Sequence, residues 1–529
     1  MDNEATRNQP HHLDPCGARL VLLVSRTHVK HVKSALERHK KFDRSHGISP
    51  EVRNEGGERE ALGQNRGEMR QRMCVPTTIP HVVEGDEADL ESNKPTLLAE
   101  LRLDHLSEDI TISSWTPWTT KKPATVEHNP LRKALREALE ALPPGTLGSF
   151  NVPHLTVHLL LSTFPESYSI YKPLLLLPSN SISQTWSTLL SEHVELLQPI
   201  WQRIAAALQC THIALNSPIP PSNTPGSAHG NDDSNILRSP VHLTPIYGSF
   251  GPPPTLQTLS SPTPSDFGNT LWVRTTQNGI HQTWAPLYTM FSRGNVKEKA
   301  RILHLPSVTS LATTEQNATA VDMYAGIGYF SFSYRKSGLS RILCWELNPW
   351  SVEGLRQGAA LNGWSSRIFT PAEVPQESAA EAEWEAWRRG VAGRSEDFWI
   401  FQMSNATAQL ILQCLRNDVP PIRHVNLGLL PASRLSWPSA VRALDKECGG
   451  WIHAHENVGL HEMDKRKVEV GTEFQRLVNE YSESLGDDAK HQKKKVQVGH
   501  VERVKMYAPG VVHAVFDVYV PETGTEMDV

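Results

Sequence analysis

The period of the hydrophobic positions changes along the chain. Residues 18–42, ARLVLLVSRTHVKHVKSALERHKKF, open on a continuous apolar run, then place valine, alanine and leucine opposite lysine, arginine and histidine. A short buried strand followed by a basic amphipathic helix is predicted. Between 310 and 520, short apolar runs alternate with 3.6-residue periodicity. Residues 321–355 read as strand, glycine turn, helix and second strand. Next come FWIFQM (398–403), a helix over 406–416, RHVNLGLL (423–430), GGWIHAHENV (449–458) and an amphipathic helix over 464–485. Two alternating runs, VGHVERVKMY and VVHAVFDVYV, are joined at Ala508-Pro509-Gly510, which is hairpin chemistry at a sheet edge. Repeated βα units imply an α/β fold with a mostly parallel, doubly wound sheet.

Proline, glycine and polar residues punctuate this pattern at 43–73, 216–235 and 250–266, which read as a mobile connection and two long loops. Insertions are expected at 371–397 and 486–496. Three domains follow: a small α/β N-terminal domain with its linker (1–90), a middle domain with Pro/Ser-rich loops (91–270), and a nucleotide-binding domain (271–529). With 529 residues and 39% hydrophobic content, the chain can build more than one core. Six scattered cysteines without a CxxC pair argue against a disulfide framework or a cysteine-rich zinc site, and point to a reducing compartment. No run of about 18 apolar residues appears, and the N-terminus lacks the order of a secretory signal. The expectation is a soluble, cytoplasmic protein with neither metal nor membrane partner. A net charge of −5 gives no general basic field, so a polyanion has to meet a local patch. Arg26, Lys30, Lys33, Arg38 and Lys40 offer one, although a solvated helix face explains them almost as well.

In DMYAGIGYF, Gly326 and Gly328 let the backbone approach a ligand, and Glu346, about 20 residues on, ends the second strand where such folds place a carboxylate for ribose hydroxyls. Ser331 stands where a dinucleotide fingerprint has its third glycine, and no P-loop lysine follows. Pyrophosphate ligands are therefore disfavoured. Asp322 suits an S-adenosylmethionine site, in which a carboxylate at the strand end faces the cationic methionine part.

Residues 288–303, YTMFSRGNVKEKARIL, together with DMYAGIGYFSF, CWELNPWSVEGL, HVNLGLLPAS and WIHAHENV, resemble the eukaryotic aminocarboxypropyltransferases of wybutosine synthesis, kin of the tRNA guanine-37 N1-methyltransferases. The similarity extends to FPESYSIYKPLLLLP, THIALNSPI and LRSPVHL, and so covers most of the chain outside its insertions. It implies a class I methyltransferase-like (Rossmann-like) fold preceded by smaller α/β domains. It also implies transfer of the 3-amino-3-carboxypropyl group of S-adenosylmethionine to C7 of 4-demethylwyosine at position 37 of phenylalanine tRNA. A monomer acting on the anticodon loop is the expected form. The resemblance assigns cofactor contacts to Ser292, Lys299 and Glu346, and to the pair after the third strand. That pair is commonly Asp-Asn and here is Ser404-Asn405, which puts the adenine contact at Ser404 in question. Rival readings are guanine-37 N1-methylation and a silent tRNA-binding protein.

On physical grounds Lys299 and Arg293 are cations suited to the carboxylate of the transferred group. Asn426 closes a buried strand, where open α/β sheets contact substrate. Taken alone, Lys297, Glu298 and Lys299 read as a solvated helix face. His424, His453, His455 and His513 are expected to be structural, and Trp345, Trp350 and Trp437 to be packing residues, with stacking on the modified base as the sharper alternative.

Overall fold

The structure, a computed structural model, describes residues 19–43, 48–50, 72–80, 87–115, 129–178, 182–216, 243–313, 317–485 and 494–522. Most of the predicted connection at 43–73, nearly all of the loop at 216–235 and the insertion at 486–493 lie outside the described residues. Contacts divide the chain into two units, Met1–Val126 and Glu127–Val529.

In the first unit, β1 (Arg19–Ser25), β2 (Ser49–Pro50), β3 (Arg72–Pro80) and β4 (Ile110–Trp115) form an antiparallel sheet in the order β2-β3-β1-β4. The predicted basic helix is Val29–Arg38, and its Val32, Ala35 and Leu36 pack on Leu22, Val24, Val75 and Ile110. Pairing of β4 with β1 carries this unit past the residue-90 boundary read from the sequence. Composition alone does not reveal that a strand beyond a polar stretch completes an earlier sheet.

The second unit begins with β5 (Ser169–Tyr171), β6 (Leu174–Pro178), β7 (His212–Asn216) and β8 (Thr244–Tyr247), a four-stranded sheet with a core around Trp186 and Trp201. The hairpin β9 (Val273–Gln277) and β10 (Ile280–Trp284) follows. Leu174, Ala214, Trp284 and Ile327 share one apolar cluster, which is why residues 127–270 and the nucleotide-binding part form one unit rather than two. The stretch at 250–266, read as loop, holds two short helices, Leu256–Ser260 and Pro264–Gly268. The Thr255/Thr258 and Thr263/Asp266 capping boxes start them among residues that otherwise favour turns.

The principal sheet has eight strands: β11 (Thr319–Asp322), β12 (Arg341–Trp345), β13 (Ser366–Phe369), β14 (Phe398–Phe401), β15 (Ile422–Leu427), β16 (Gly450–Gly459), β17 (Gln497–Ala508) and β18 (Val511–Val520). Their order is β13-β14-β12-β11-β15-β16-β18-β17. The first six are parallel, and β18 and β17 are antiparallel. Val321, Leu343, Trp399 and Phe401 enter the core on one face, Ala320, Ile342, Phe398 and Ile400 that on the other. Burial on both faces explains why these strands read as continuous apolar runs. The predicted terminal hairpin is present, with Gly510 at φ 77° in its turn. The sequence reading missed β13, a four-residue edge strand with a weak apolar signal. Part of the expected insertion at 371–397 is the helix Glu381–Val391, whose partly buried Trp384 and Trp387 lie against the core. This sheet, with its first switch at β11 and an antiparallel terminal pair, is the class I methyltransferase architecture.

Candidate active site

The glycine turn lies between β11 and the helix Ser331–Lys336. Gly326 and Gly328 have φ of 55° and 87°, so both need the conformation that glycine tolerates. A Cβ at Gly326 would lie 2.7 Å from the Tyr329 ring, and one at Gly328 2.6 Å from Phe332. The missing side chains thus make room for the chain's own aromatics, a reason the sequence reading, which gave the space to a ligand, did not contain. Glu346, half-buried just past β12, fixes the turn: its Oε2 accepts the Gly326 N–H at 2.8 Å and its Oε1 the Asn348 N–H at 2.8 Å. Burial raises its carboxyl above the usual range against the lowering effect of these amides. Asn348 in turn caps the helix Pro349–Leu361 by accepting the Trp350 N–H at 2.9 Å.

Asp322 is closed off from solvent. Its Oδ1 accepts from Asn426 Nδ2 at 3.0 Å and from the Tyr324 N–H at 3.3 Å, and its Oδ2 from Ser331 Oγ at 2.7 Å. It lies inside the turn, where it holds Asn426 in position. Burial pushes its carboxyl up despite these donors. Asn426 is also fully buried, and its Oδ1 has no hydrogen-bond partner among the described residues. Asn405 Nδ2 donates to the Met323 carbonyl at 2.9 Å, tying the end of β14 to the turn. Ser404 Oγ accepts the Ala406 N–H at 3.3 Å as a local cap.

Lys299 is not on a solvated face. It is 3% exposed in the helix Val296–Leu303, donating to Gln277 Oε1 at 2.9 Å and Gln282 Oε1 at 2.8 Å. Phe291 and Tyr329 lie 5.1 and 5.0 Å from its ammonium. Desolvation, then the nearby Lys505, lowers its pKa to about 7. Tyr329 donates to the Met290 carbonyl and accepts the Ser292 N–H at 3.3 Å, so Ser292, Lys299 and the glycine turn converge on one aromatic ring. Arg293 is exposed and donates to Ser169 Oγ on β5 at 3.0 Å. Sequence reasoning missed Tyr329, Gln277, Gln282 and the 2.5 Å hydrogen bond between Tyr324 and Ser436, because turn residues and single polar residues in a short hairpin carry no periodic signal.

The histidines are structural. His424 and His453 are bonded at 3.0 Å, His453 reaches Asp517 at 2.7 Å, and His455 and His513 pair at 2.9 Å, all buried. Trp345, Trp350 and Trp437 are likewise buried, so packing accounts for them. Among the described residues, no group of three or more His, Cys, Asp or Glu is placed to hold a metal, and no helix is long and apolar enough to cross a membrane.

A class I methyltransferase sheet with a carboxylate under its glycine turn defines an S-adenosylmethionine-dependent transferase, and residues 275–383 match the TRM5/TYW2 methyltransferase domain. The chain is 34% identical over 368 residues to tRNA wybutosine-synthesizing protein 2 of Schizosaccharomyces pombe, covering 69% of this chain and 75% of that protein. It is 31% identical over 326 residues to the Saccharomyces cerevisiae protein of the same name, covering 58% and 59%. P. horikoshii TYW2 in complex with MeSAdo aligns over 74% of this chain and 98% of its own at 18% identity, with a TM-score of 0.43. The chain belongs to the family of tRNA wybutosine-synthesizing protein 2.

Proposed function

We infer that the protein transfers the 3-amino-3-carboxypropyl group of S-adenosylmethionine to C7 of 4-demethylwyosine at position 37 of phenylalanine tRNA, releasing 5′-methylthioadenosine. The observation that carries this reading is the 34% identity to the fission-yeast protein across 69% of the chain. We further propose that the enzyme meets the anticodon loop and works in the cytoplasm as a monomer.

The site fits the donor. The Glu346 carboxylate, held by backbone amides, keeps accepting capacity for a ribose hydroxyl. The unpartnered Oδ1 of Asn426 offers a buried acceptor to an incoming N–H. Bound S-adenosylmethionine supplies a sulfonium with three electrophilic carbons. Group choice is then a matter of positioning, because the carbon held about 3 to 3.5 Å from C7 is the one transferred. We assign the methionyl carboxylate to Lys299, whose present acceptors are neutral amides, with Ser292 and the flanking Arg293 beside it. Asn405 shapes the adenine end through Met323, and Ser404 supplies a hydroxyl where relatives carry a carboxylate. Asp322 acts by orienting Asn426.

The test is mass spectrometry of nucleosides after incubation with S-adenosylmethionine and tRNA carrying the precursor base. Gain of an aminocarboxypropyl group with 5′-methylthioadenosine supports the reading. Gain of one methyl with S-adenosylhomocysteine would assign guanine-37-type methylation instead, and no product would favour a silent tRNA-binding protein.

A further inference from the structure

We propose that the outer edge of the C-terminal hairpin close to its turn, formed by Lys505, Met506 and Tyr507, is an RNA-contacting surface beside the candidate active site. This rests on the reading of the protein as a tRNA-modifying enzyme and deepens it.

Position comes first. β18 runs antiparallel to β16 with Val511 opposite Gly459, so the hairpin turn lies at the carboxyl end of the parallel strands. Open α/β sheets bind their ligands at that end, where Gly326, Glu346 and Asn426 also stand. The edge strand β17 packs on the turn 293–295: a Cβ at Gly294 would lie 2.6 Å from Lys505 Nζ. Lys297 Nζ donates to Glu502 Oε1 at 2.5 Å and to the Arg503 carbonyl at 2.9 Å. Lys297 and Lys505 thereby meet the turn that carries Arg293, a basic surface assembled from segments about 200 residues apart in a chain of net charge −5.

Charge is only partly compensated there. Glu502 engages Lys297, whereas half-buried Lys505 has no hydrogen-bond or ion-pair partner among the described residues. Beside it, β17 pairs Met506 with Val512 and Ala508 with Val511, leaving Tyr507 as the extra residue of a bulge. Met506 and Tyr507 are 55% and 54% exposed. Protection of an edge strand explains charges and bulges, but it disfavours exposed apolar side chains. A bulge re-aims a side chain. An exposed aromatic next to an uncompensated cation matches what single-stranded RNA offers, a base face and a phosphate.

The experiment measures binding of a phenylalanine tRNA transcript and, separately, of S-adenosylmethionine to the full chain and to its Tyr507→Ala, Tyr507→Phe and Lys505→Gln variants. Tyr507→Ala should weaken tRNA binding about tenfold with an unchanged salt slope, and Tyr507→Phe should restore it. Lys505→Gln should weaken binding and lower the salt slope by about one. Affinity for S-adenosylmethionine without tRNA should stay unchanged in both Tyr507 variants and should not fall in Lys505→Gln, because loss of the neighbouring charge favours the Lys299 ammonium. Wild-type tRNA affinity in the Ala and Gln variants overturns the proposal. So does a loss of cofactor affinity in Lys505→Gln, which would assign this lysine to the methionyl carboxylate. If the unmodified protein neither binds the transcript nor modifies precursor tRNA, the tRNA-modifying reading itself has failed and this surface falls with it.

Discussion

Asn426 Nδ2 donates to Asp322 Oδ1 at 3.0 Å across paired positions of β15 and β11, joining β15 to the strand that carries the glycine turn. Both side chains are fully buried, so the contact sets the position of an otherwise unpartnered amide oxygen.

Asn426→Asp would place two carboxylates at that distance. They cannot both ionise cheaply, so one titrates with a raised pKa. A folded-state pKa above the unfolded value gives stability that is present at low pH and lost as pH rises through it. The variant should therefore unfold at lower denaturant concentration at pH 8 than at pH 5.5, relative to wild type at each pH. Equal midpoint shifts at both pH values would show that the pair is solvated.

Glu346→Ala removes charge-assisted acceptors at the mouth of the site rather than from the core. Cofactor affinity should fall by about 1.5 to 3 kcal/mol, or roughly 10- to 150-fold in Kd. Thermal unfolding should move only slightly. Calorimetric titration checks the first, and unchanged affinity would remove Glu346 from the ribose site.

Lys299, with its pKa lowered from 10.5 to about 7, is largely neutral at pH 8. A carboxylate bound beside it favours the ammonium form, so cofactor binding at pH 8 should take up a proton. Apparent affinity should weaken as pH rises above about 7. Between pH 7 and 10.5 the unfolded chain holds more protons on this side chain, so its own contribution makes stability rise with pH there. Titrations in buffers of different ionisation enthalpy measure the uptake, which Lys299→Met should abolish. Absence of uptake in the wild type would place the carboxylate elsewhere.

Arg301 bridges two buried carboxylates, Glu298 at 2.7 Å and Asp517 at 2.5 Å. Arg301→Met leaves both without their cation and should destabilise the fold by about 3 to 5 kcal/mol. Desolvation also holds His424 at about 3 and His513 at about 4, below their ordinary 6.5. Unfolded histidines take up protons first, so stability should decline as pH falls from about 6.5 towards 4. Denaturant midpoints across that range test it, and a flat profile would show these histidines to be hydrated.

The sequence by itself determined the parallel sheet, the terminal hairpin, the glycine turn and Glu346, because each follows from local rules. Strands buried on both faces are continuously apolar, φ above zero selects glycine at 326 and 328, and a carboxylate ends the strand after the turn. The tertiary structure alone decided what those rules do not reach. Lys299 looks like one more charge on a helix until the β9–β10 hairpin supplies Gln277 and Gln282. Residues 110–115 look like part of a middle domain until they pair with β1, and the basic surface exists only because β17 packs on residues 293–295. The difference is physical: periodicity records which face of an element is apolar, while pairing between separate elements is chosen by the packing of whole surfaces, which no short stretch encodes.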